Sequence, residues 1–143
     1  MASEAIRASV MVPADPETVF EYFTRAEAMN VWMGEWADLD ARVGGVFAVD
    51  IKGVAVRGEY LAIERPRRLL ISWGHAGSEH LPPGSSTVEV LFRATAEGTA
   101  VEILHSGLPE PEAREHPAGW RHFLAALAIA VDGEGPRPNQ DRS

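Results

Sequence analysis

Apolar and polar residues alternate at the start of the chain. The apolar positions are separated by single residues, at Ile6, Ala8, Val10 and Val12. A period of two is typical of a strand with one buried face, so the first strand is predicted at 6–12. Pro13 ends this strand, because proline has no amide hydrogen to donate to a sheet.

Two short helices are predicted next. Asp15 can cap the first helix, Pro16 suits its first helical position, and Glu17 complements its dipole. The second helix is expected at about 25–31, where alanine, glutamate and methionine favour helix formation.

From Trp36 onward the period of two returns and indicates a run of strands. They are predicted at roughly 37–43, 46–52, 55–64, 68–75, 86–95 and 99–106. Glycine marks the turns at Gly44-Gly45 and Lys52-Gly53. Because short links join antiparallel neighbours, these strands should form a meander. The longer segment 76–85, with its glycines and prolines, is predicted to be a flexible loop.

The last element has a helical period. Its apolar residues share one face of a helix: Trp120, Phe123, Leu124, Leu127 and Val131. The helix is predicted to begin at Pro117, or near Glu112 with a kink at the proline. Only this helix is large enough to cover the sheet, which predicts an α+β helix-grip fold: a curved antiparallel sheet of about six to seven strands wrapped around a long C-terminal helix. Such a geometry commonly leaves a pocket between sheet and helix.

Length and composition narrow the class of protein. The 143 residues suit one domain, predicted at 1–132, with a polar and disordered tail at 133–143. A net charge of −8 argues against nucleic acid as a partner, and the absence of cysteine excludes disulfides. No signal peptide is visible and the longest apolar run, 123–131, is too short to cross a bilayer. We therefore expect a cytoplasmic protein without a membrane span.

Four stretches, in this order, resemble a known family. They are 12–20 at the first strand-to-helix junction, 40–47 with a D-x-R-x-G-G-x-F turn, 66–73 with a P-x-R-L…W strand, and 99–108 with 116–120 at the closing strand and helix entry. Together they resemble the START-like (SRPBCC) superfamily, most closely its AHSA-type branch, named for the activator of heat-shock-protein-90 ATPase. The resemblance covers about residues 6–132 and implies the helix-grip fold. The chain departs from the family pattern at Pro117 and at Trp32-Met33, where a tryptophan pair is common.

His105 is the main candidate for chemistry. It shares parity with Val101 and Ile103, so its side chain is expected to point to the interior. There it could anchor a ligand oxygen, or act as a general acid/base with Tyr60 or His75 assisting. The alternative is a histidine that is only hydrogen-bonded inside the sheet. His75 is expected at the end of its strand, either at the mouth of a cavity or on the surface.

The ligand-binding residues are predicted from the inner face of the sheet and the inner face of the last helix. They are Trp32, Phe47, Val49, Trp73, His75, His105, Trp120, Phe123, Leu124 and Leu127. Each of the large side chains could line a cavity or close it by packing. Whether Val54-Val56 or Leu61-Ile63 continues the inner face depends on bulges and is left open.

No metal site and no cofactor are predicted. The histidines at 75, 80, 105, 116 and 122 show no H-x-H or H-E-x-x-H spacing. No serine lies in a G-x-S-x-G elbow. Asp40 and Arg42 are expected to pair on one strand face, and Gly44-Gly45 to form a structural turn.

Three functional hypotheses remain, because the superfamily holds lipid and polyketide binders, cyclases and co-chaperone domains. The leading hypothesis is a binding module for a small apolar, lipid-like or aromatic ligand, held between the sheet and the last helix. The second is a cyclase- or hydrolase-type enzyme that uses His105 as acid/base. The third is a co-chaperone-like protein-interaction module. Self-association into a homodimer is left open.

Overall fold

The computed structural model describes residues 6–79, 81–108 and 110–134, with side chains throughout except at 110–118 and 132–134. The strands in these residues are β1 (Ile6–Val12), β2 (Trp36–Leu39), β3 (Val46–Ile51), β4 (Val54–Glu64), β5 (Arg68–Trp73), β6 (Ser86–Thr95) and β7 (Gly98–Ser106). The helices are α1 (Pro16–Glu21), α2 (Ala26–Trp32) and α3 (Glu110–Glu134).

All seven strands form one antiparallel sheet in the order β1-β7-β6-β5-β4-β3-β2. Strands β2 to β7 follow one another as a meander, and β1 lies beside β7 with Ile6 opposite His105. Helix α3 buries Trp120, Leu124 and Leu127 in the core that it shares with the sheet. The predicted α+β helix-grip fold is therefore confirmed.

A bulge in β4 decides which of its residues face inward. The register against β5 shifts between Tyr60 and Ala62. Val56 and Tyr60 lie before the shift and are buried, and Ile63 packs against the core after it. Leu61, at the shift itself, is 38% exposed. Both halves of β4 thus contribute to the inner face, because one inserted residue reverses the alternation.

Strand β2 ends at Leu39, so the prediction that it extends to residue 43 is wrong. The chain turns instead: the amide of Arg42 donates to the carbonyl of Asp40, and that of Gly45 to the carbonyl of Arg42, both at 2.8 Å. Arg42 Nε still reaches the Asp40 carboxylate at 2.7 Å, so the expected pair forms in a loop and not on a strand face. Glycine is required at 45, since a Cβ there would lie 2.0 Å from the Asp40 carbonyl oxygen.

The last helix is longer at its N-terminal end than predicted. It begins at Glu110, before both Glu112 and Pro117, and continues through the proline. Proline lacks an amide hydrogen, so one intrahelical bond is missing at that point. The helix ends at Glu134, and residues 135–143 of the predicted tail lie outside the described residues. The domain limits 1–132 stay a prediction.

Aromatic packing attaches α1 and α2 to the sheet. The ring centroids of Phe20 and Phe23 lie 5.2 and 5.3 Å from that of Phe92 on β6. Trp32 packs against Phe23, with ring centroids 4.9 Å apart, and its Nε1 donates to the carbonyl of Tyr22 at 2.9 Å. Aromatic side chains therefore fill the interface between the sheet and the segment that contains α1 and α2.

Candidate ligand-binding cleft

An apolar cleft of about 550 Å³ opens at one end of the interface between the sheet and α3. It is lined by Met33, Ile51, Lys52, Val54, Val56, Trp73, His75, Gly119, Trp120, His122 and Phe123. Val54, which is 40% exposed, and the exposed His122 lie where the cleft meets solvent. Leu124 and Leu127, further along the helix, are buried in the core. The open space is thus a cleft with a mouth at one end of the interface.

The β3–β4 hairpin forms the outer wall. Ile51 and Val54 face each other across its two-residue turn. The turn residues Lys52 and Gly53 have φ angles of 49° and 83°. Two successive positive φ angles are typical of a type I′ turn, whose twist suits a hairpin. This turn places Lys52 at the tip of the wall, beside the apolar side chains of both strands.

The segment after β5 holds His75 in the cleft wall. Strand β5 ends two residues before His75, earlier than predicted, and His75 forms an isolated bridge with Val56. The amide of His75 donates to the carbonyl of Leu81 at 2.7 Å. Gly74 permits this close return of the chain, since a Cβ there would lie 2.0 Å from the carbonyl oxygen of Pro82.

Two tryptophans form the floor of the cleft. The ring centroids of Trp73 and Trp120 are 5.3 Å apart, with an interplanar angle of 49°. Phe47 supports Trp73 at 5.7 Å, and His105 lies 6.0 Å from Trp120. Each tryptophan is 4% exposed, because other core side chains pack against most of its surface.

A chain of hydrogen bonds runs behind this floor. Trp120 Nε1 donates to Nδ1 of His105 at 3.0 Å. Nε2 of His105 lies 2.9 Å from the Ser86 hydroxyl, which donates to the carbonyl oxygen of Trp73 at 2.8 Å. His105 itself is fully buried. The two tryptophans are therefore linked through one residue of β6 and one of β7.

The hydrogen-bond donors Trp120 and Ser86 determine which ring nitrogen of His105 carries the proton. An indole nitrogen can only donate, so Nδ1 of His105 must accept. Ser86 places its single hydrogen on the Trp73 carbonyl, so Nε2 carries the ring proton and donates to the hydroxyl. His105 is thus a neutral imidazole with both ring nitrogens engaged. Its place in the molecule is that of a structural link behind the cleft.

Tyr60 is likewise held in the core. Its hydroxyl donates to the carbonyl of Phe23 at 3.0 Å, and its side chain is fully buried. Burial raises the pKa of Tyr60, and the negative charge of Asp40 raises it further. The phenol therefore stays protonated and does not face the cleft that His75 lines.

Trp73 carries a hydrogen-bond donor without a partner. Its indole Nε1 is buried and meets no acceptor among the described residues. A buried N–H that lacks an acceptor costs about 1–3 kcal/mol. Less than 1 Å² of this nitrogen is accessible, so a molecule in the cleft can reach it only if the indole ring turns.

Part of the predicted ligand-binding set lines the cleft, namely Trp73, His75, Trp120 and Phe123. His105 is inward, as its parity predicts, but lies one layer behind the floor. The remaining residues of the set are buried and outside the cleft lining: Trp32, Phe47, Val49, Leu124 and Leu127.

Seven lining residues are not in the predicted set: Met33 after α2, Ile51, Lys52, Val54 and Val56 of the hairpin, and Gly119 and His122 of α3. Alternation alone left the orientation of Val54 and Val56 open, and Lys52-Gly53 was predicted only as a turn between strands. One signal was present there, because Lys52 is the only lysine in the sequence. Gly119 precedes Phe123 by four residues, which places both on one face of the helix.

The part of the chain that the structure describes was also compared with the requirements of a metal site and of a membrane-spanning helix. Its residues include no cluster of three or more histidine, aspartate or glutamate side chains that could hold a metal ion. His80 and the side chain of His116 lie outside the described residues. Within that same part, none of the helices combines the length and apolar character needed to cross a membrane.

The sequence matches the model of a known protein family. The family model of Activator of Hsp90 ATPase homolog 1-like protein matches residues 13–132. Among curated proteins, none matches this sequence.

Solved structures share the fold. An AHSA1-like protein from Rhizobium etli is 34% identical, with a TM-score of 0.73 and coverage of 100% of this chain and 91% of that one. DynU16, described as a protein in the dynemicin biosynthetic locus, is 27% identical, with a TM-score of 0.80. That match covers 94% of this chain and 49% of DynU16, so this chain spans about half the length of DynU16. The Aha1 dimer from Colwellia psychrerythraea is 19% identical, with a TM-score of 0.79 and coverage of 93% and 100%, a likeness of fold alone.

Proposed function

We propose that this chain, which belongs to the family of Activator of Hsp90 ATPase homolog 1-like proteins, binds a small apolar or aromatic ligand in the cleft between the β3–β4 hairpin and α3. The AHSA-type resemblance of the sequence is confirmed by the family match over residues 13–132. Family membership does not select one function, so the proposal rests on the cleft itself.

One observation carries the proposal: the cleft is open to solvent and its lining is mostly apolar or aromatic. The volume of about 550 Å³ falls within the usual range for small-molecule sites. An apolar molecule would cover Val54 and Phe123, with a gain of roughly 25 cal/mol for each Å² of apolar surface removed from water.

A relative supports the choice of compounds to test. DynU16 belongs to the dynemicin biosynthetic locus, and its fold matches this chain with a TM-score of 0.80. Aromatic and polyketide-like compounds therefore deserve a place in a ligand screen, beside fatty acids, fatty alcohols and plain hydrocarbons.

Gly119 offers a way to close the cleft without disturbing the core. A Cβ built at Gly119 meets no heavy atom of the described residues within 4 Å, although the residue lines the cleft. A phenylalanine there would project into open space, and replacement of a helical glycine favours the helix. Gly119→Ala is the matched control, since it makes the same backbone change with a small side chain.

The experiment is titration calorimetry of the full chain against the screen. Wild type and Gly119→Ala should bind the same compounds, and Gly119→Phe should bind them about tenfold more weakly or not at all. If wild type binds no compound of the screen, or if Gly119→Phe binds as well as Gly119→Ala, the cleft is not the ligand site.

The other hypotheses have less support. Both ring nitrogens of His105 are engaged behind the cleft floor, so the geometry does not favour its use as acid/base. The co-chaperone role and the cytoplasmic location stay predictions. Self-association also stays a prediction, which light scattering of the purified chain would test, as the Colwellia relative is described as a dimer.

A further inference from the structure

Among the described residues that line the cleft, the one with a permanent charge is Lys52. Lys52, His75 and His122 line the cleft, and none of the described lining residues is acidic. The whole chain carries a net charge of −8. A basic mouth on an acidic protein is a local feature that the overall composition does not account for.

Lys52 occupies a backbone position that suits other residues better. Its φ of 49° lies in the left-handed region, and Gly53 follows with a φ of 83°. The first position of a type I′ turn is most readily filled by asparagine, aspartate or glycine. A side chain with a long apolar stem and an ammonium group stands there despite that preference.

The ammonium group of Lys52 is also not neutralised by a neighbour. No carboxylate among the described residues lies within ion-pair distance of Lys52. The nearest acidic position on the same hairpin, Asp50, is bound to Arg57 at 3.0 Å. The charge at the cleft mouth is therefore available to a bound molecule.

We infer that the ligand of this cleft is an acid: an apolar or aromatic body that carries one carboxylate. This inference rests on the proposed function and names the class of ligand. The body lies against Trp120 and Phe123, and the carboxylate lies at the mouth beside the ammonium group of Lys52. Charge complementarity there distinguishes the acid from its neutral ester.

Lys52→Asn is the sharpest variant for a test. It removes the charge and places the residue that a type I′ turn favours before Gly53, so the hairpin is retained. Arg93→Gln is the matched control, because Arg93 is exposed, forms no ion pair among the described residues and lies on β6. Ser86, at the other end of β6, pairs with Trp73 of the cleft floor. Arg93 lies seven residues further along this strand, so at roughly 3.3 Å per residue it is about 23 Å from the cleft floor.

The probes are naphthalene-1-acetate, its methyl ester and decanoate, titrated calorimetrically into wild type, Lys52→Asn and Arg93→Gln. Wild type and Arg93→Gln should prefer the acid over the ester, and Lys52→Asn should lose roughly three- to tenfold in affinity for the acid alone. The affinity of wild type for the acid should also fall as salt is added. Stronger binding of decanoate than of naphthalene-1-acetate would show that the apolar part of the ligand is aliphatic, and the reverse order would show that it is aromatic. Both results agree with an acidic ligand.

Two results would overturn the inference while leaving the proposed function intact. One is equal binding of acid and ester to wild type, with Lys52→Asn unchanged. The other is an equal loss in Lys52→Asn and Arg93→Gln, which would show an effect of net charge only. If wild type bound neither these probes nor any compound of the wider screen, the proposed function itself would fail.

Discussion

Trp120 donates its indole N–H to Nδ1 of His105 across 3.0 Å and so joins helix α3 to strand β7. The same indole forms part of the cleft floor. The attachment of the helix and the shape of the cleft therefore depend on one side chain. Its hydrogen bond continues through His105 to Ser86, which makes the contributions of these residues interdependent.

Trp120→Phe removes the donor and keeps an aromatic ring. We expect the free energy of unfolding to fall by about 1–3 kcal/mol, because His105 retains a buried acceptor without a donor. Ser86→Ala breaks the same chain at its other end. The double variant should lose less than the sum of the single losses, by at least about 0.5 kcal/mol in urea unfolding. Strictly additive losses would contradict a connected chain.

The hydrogen-bond chain also predicts the position of the ring proton of His105. In a long-range ¹H–¹⁵N spectrum at neutral pH, Nε2 should have the shift of a protonated nitrogen and Nδ1 that of an unprotonated one. His122, which is exposed, serves as the reference within the same spectrum. A protonated Nδ1 in His105 would mean that Trp120 is not its donor.

The raised pKa of Tyr60 predicts how the free energy of unfolding changes with pH in the alkaline range. Burial and the charge of Asp40 raise its pKa in the folded state. Because the pKa is higher in the folded state, Tyr60 adds to the free energy of unfolding at every pH below its unfolded pKa, which is about 10 for tyrosine. This addition is lost as the pH rises from there toward the folded pKa. Stability should therefore fall above about pH 10.

Tyr60→Phe separates this effect from other alkaline changes. At neutral pH it should lower the free energy of unfolding by about 1–2 kcal/mol, since the Phe23 carbonyl loses its donor. Above pH 10 the difference from wild type should shrink, as measured by urea unfolding at several pH values. A difference that stays constant with pH would argue against the raised pKa.

Lys52→Asn should stabilise the fold, in addition to its effect on acids. Asparagine tolerates a positive φ better than lysine, so thermal unfolding should show a gain of about 0.5–1 kcal/mol. Lys52→Ala lacks the short polar side chain that lets asparagine adopt a positive φ, and it should show no such gain. A loss of stability in Lys52→Asn would reveal a stabilising contact of the lysine stem.

Two glycine-to-alanine changes should act in opposite directions. At Gly119 the added methyl group enters open space in a helix, so the free energy of unfolding should rise by about 0.5–1 kcal/mol. At Gly58 the Cβ would lie 1.8 Å from the carbonyl oxygen of Ser72, so the sheet must shift and stability should fall. Parallel urea titrations test both, and a gain at Gly58 would mean that β4 and β5 can separate at little cost.

Regular alternation made much of the fold predictable from the sequence. In β7 no bulge interrupts the pattern, so the inward orientation of His105 could be inferred from Val101 and Ile103. In β4 a single inserted residue at Leu61 reverses the parity, and nothing in the local sequence marks it. The inner face of β4 could therefore not be assigned before the register against β5 was known.

The candidate site was harder to predict than the fold. Whether a side chain such as Leu124 lines a space or fills it depends on how close the sheet approaches, which no local period encodes. The unpaired N–H of Trp73 is likewise a consequence of three-dimensional packing, because the possible acceptors come from several elements. Lys52 was visible in the sequence, but its position at a cleft mouth became evident only from the hairpin geometry.

The pairing of Ile6 with His105 brings together residues about a hundred positions apart in the chain. Strand β1 is synthesised before the other strands of this sheet, and its partner β7 is synthesised after them. Until then β1 has an unsatisfied edge, and closing so long a loop slows the search for the native pairing. Strand β1 must therefore be protected from aggregation until the other six strands of the sheet have been synthesised.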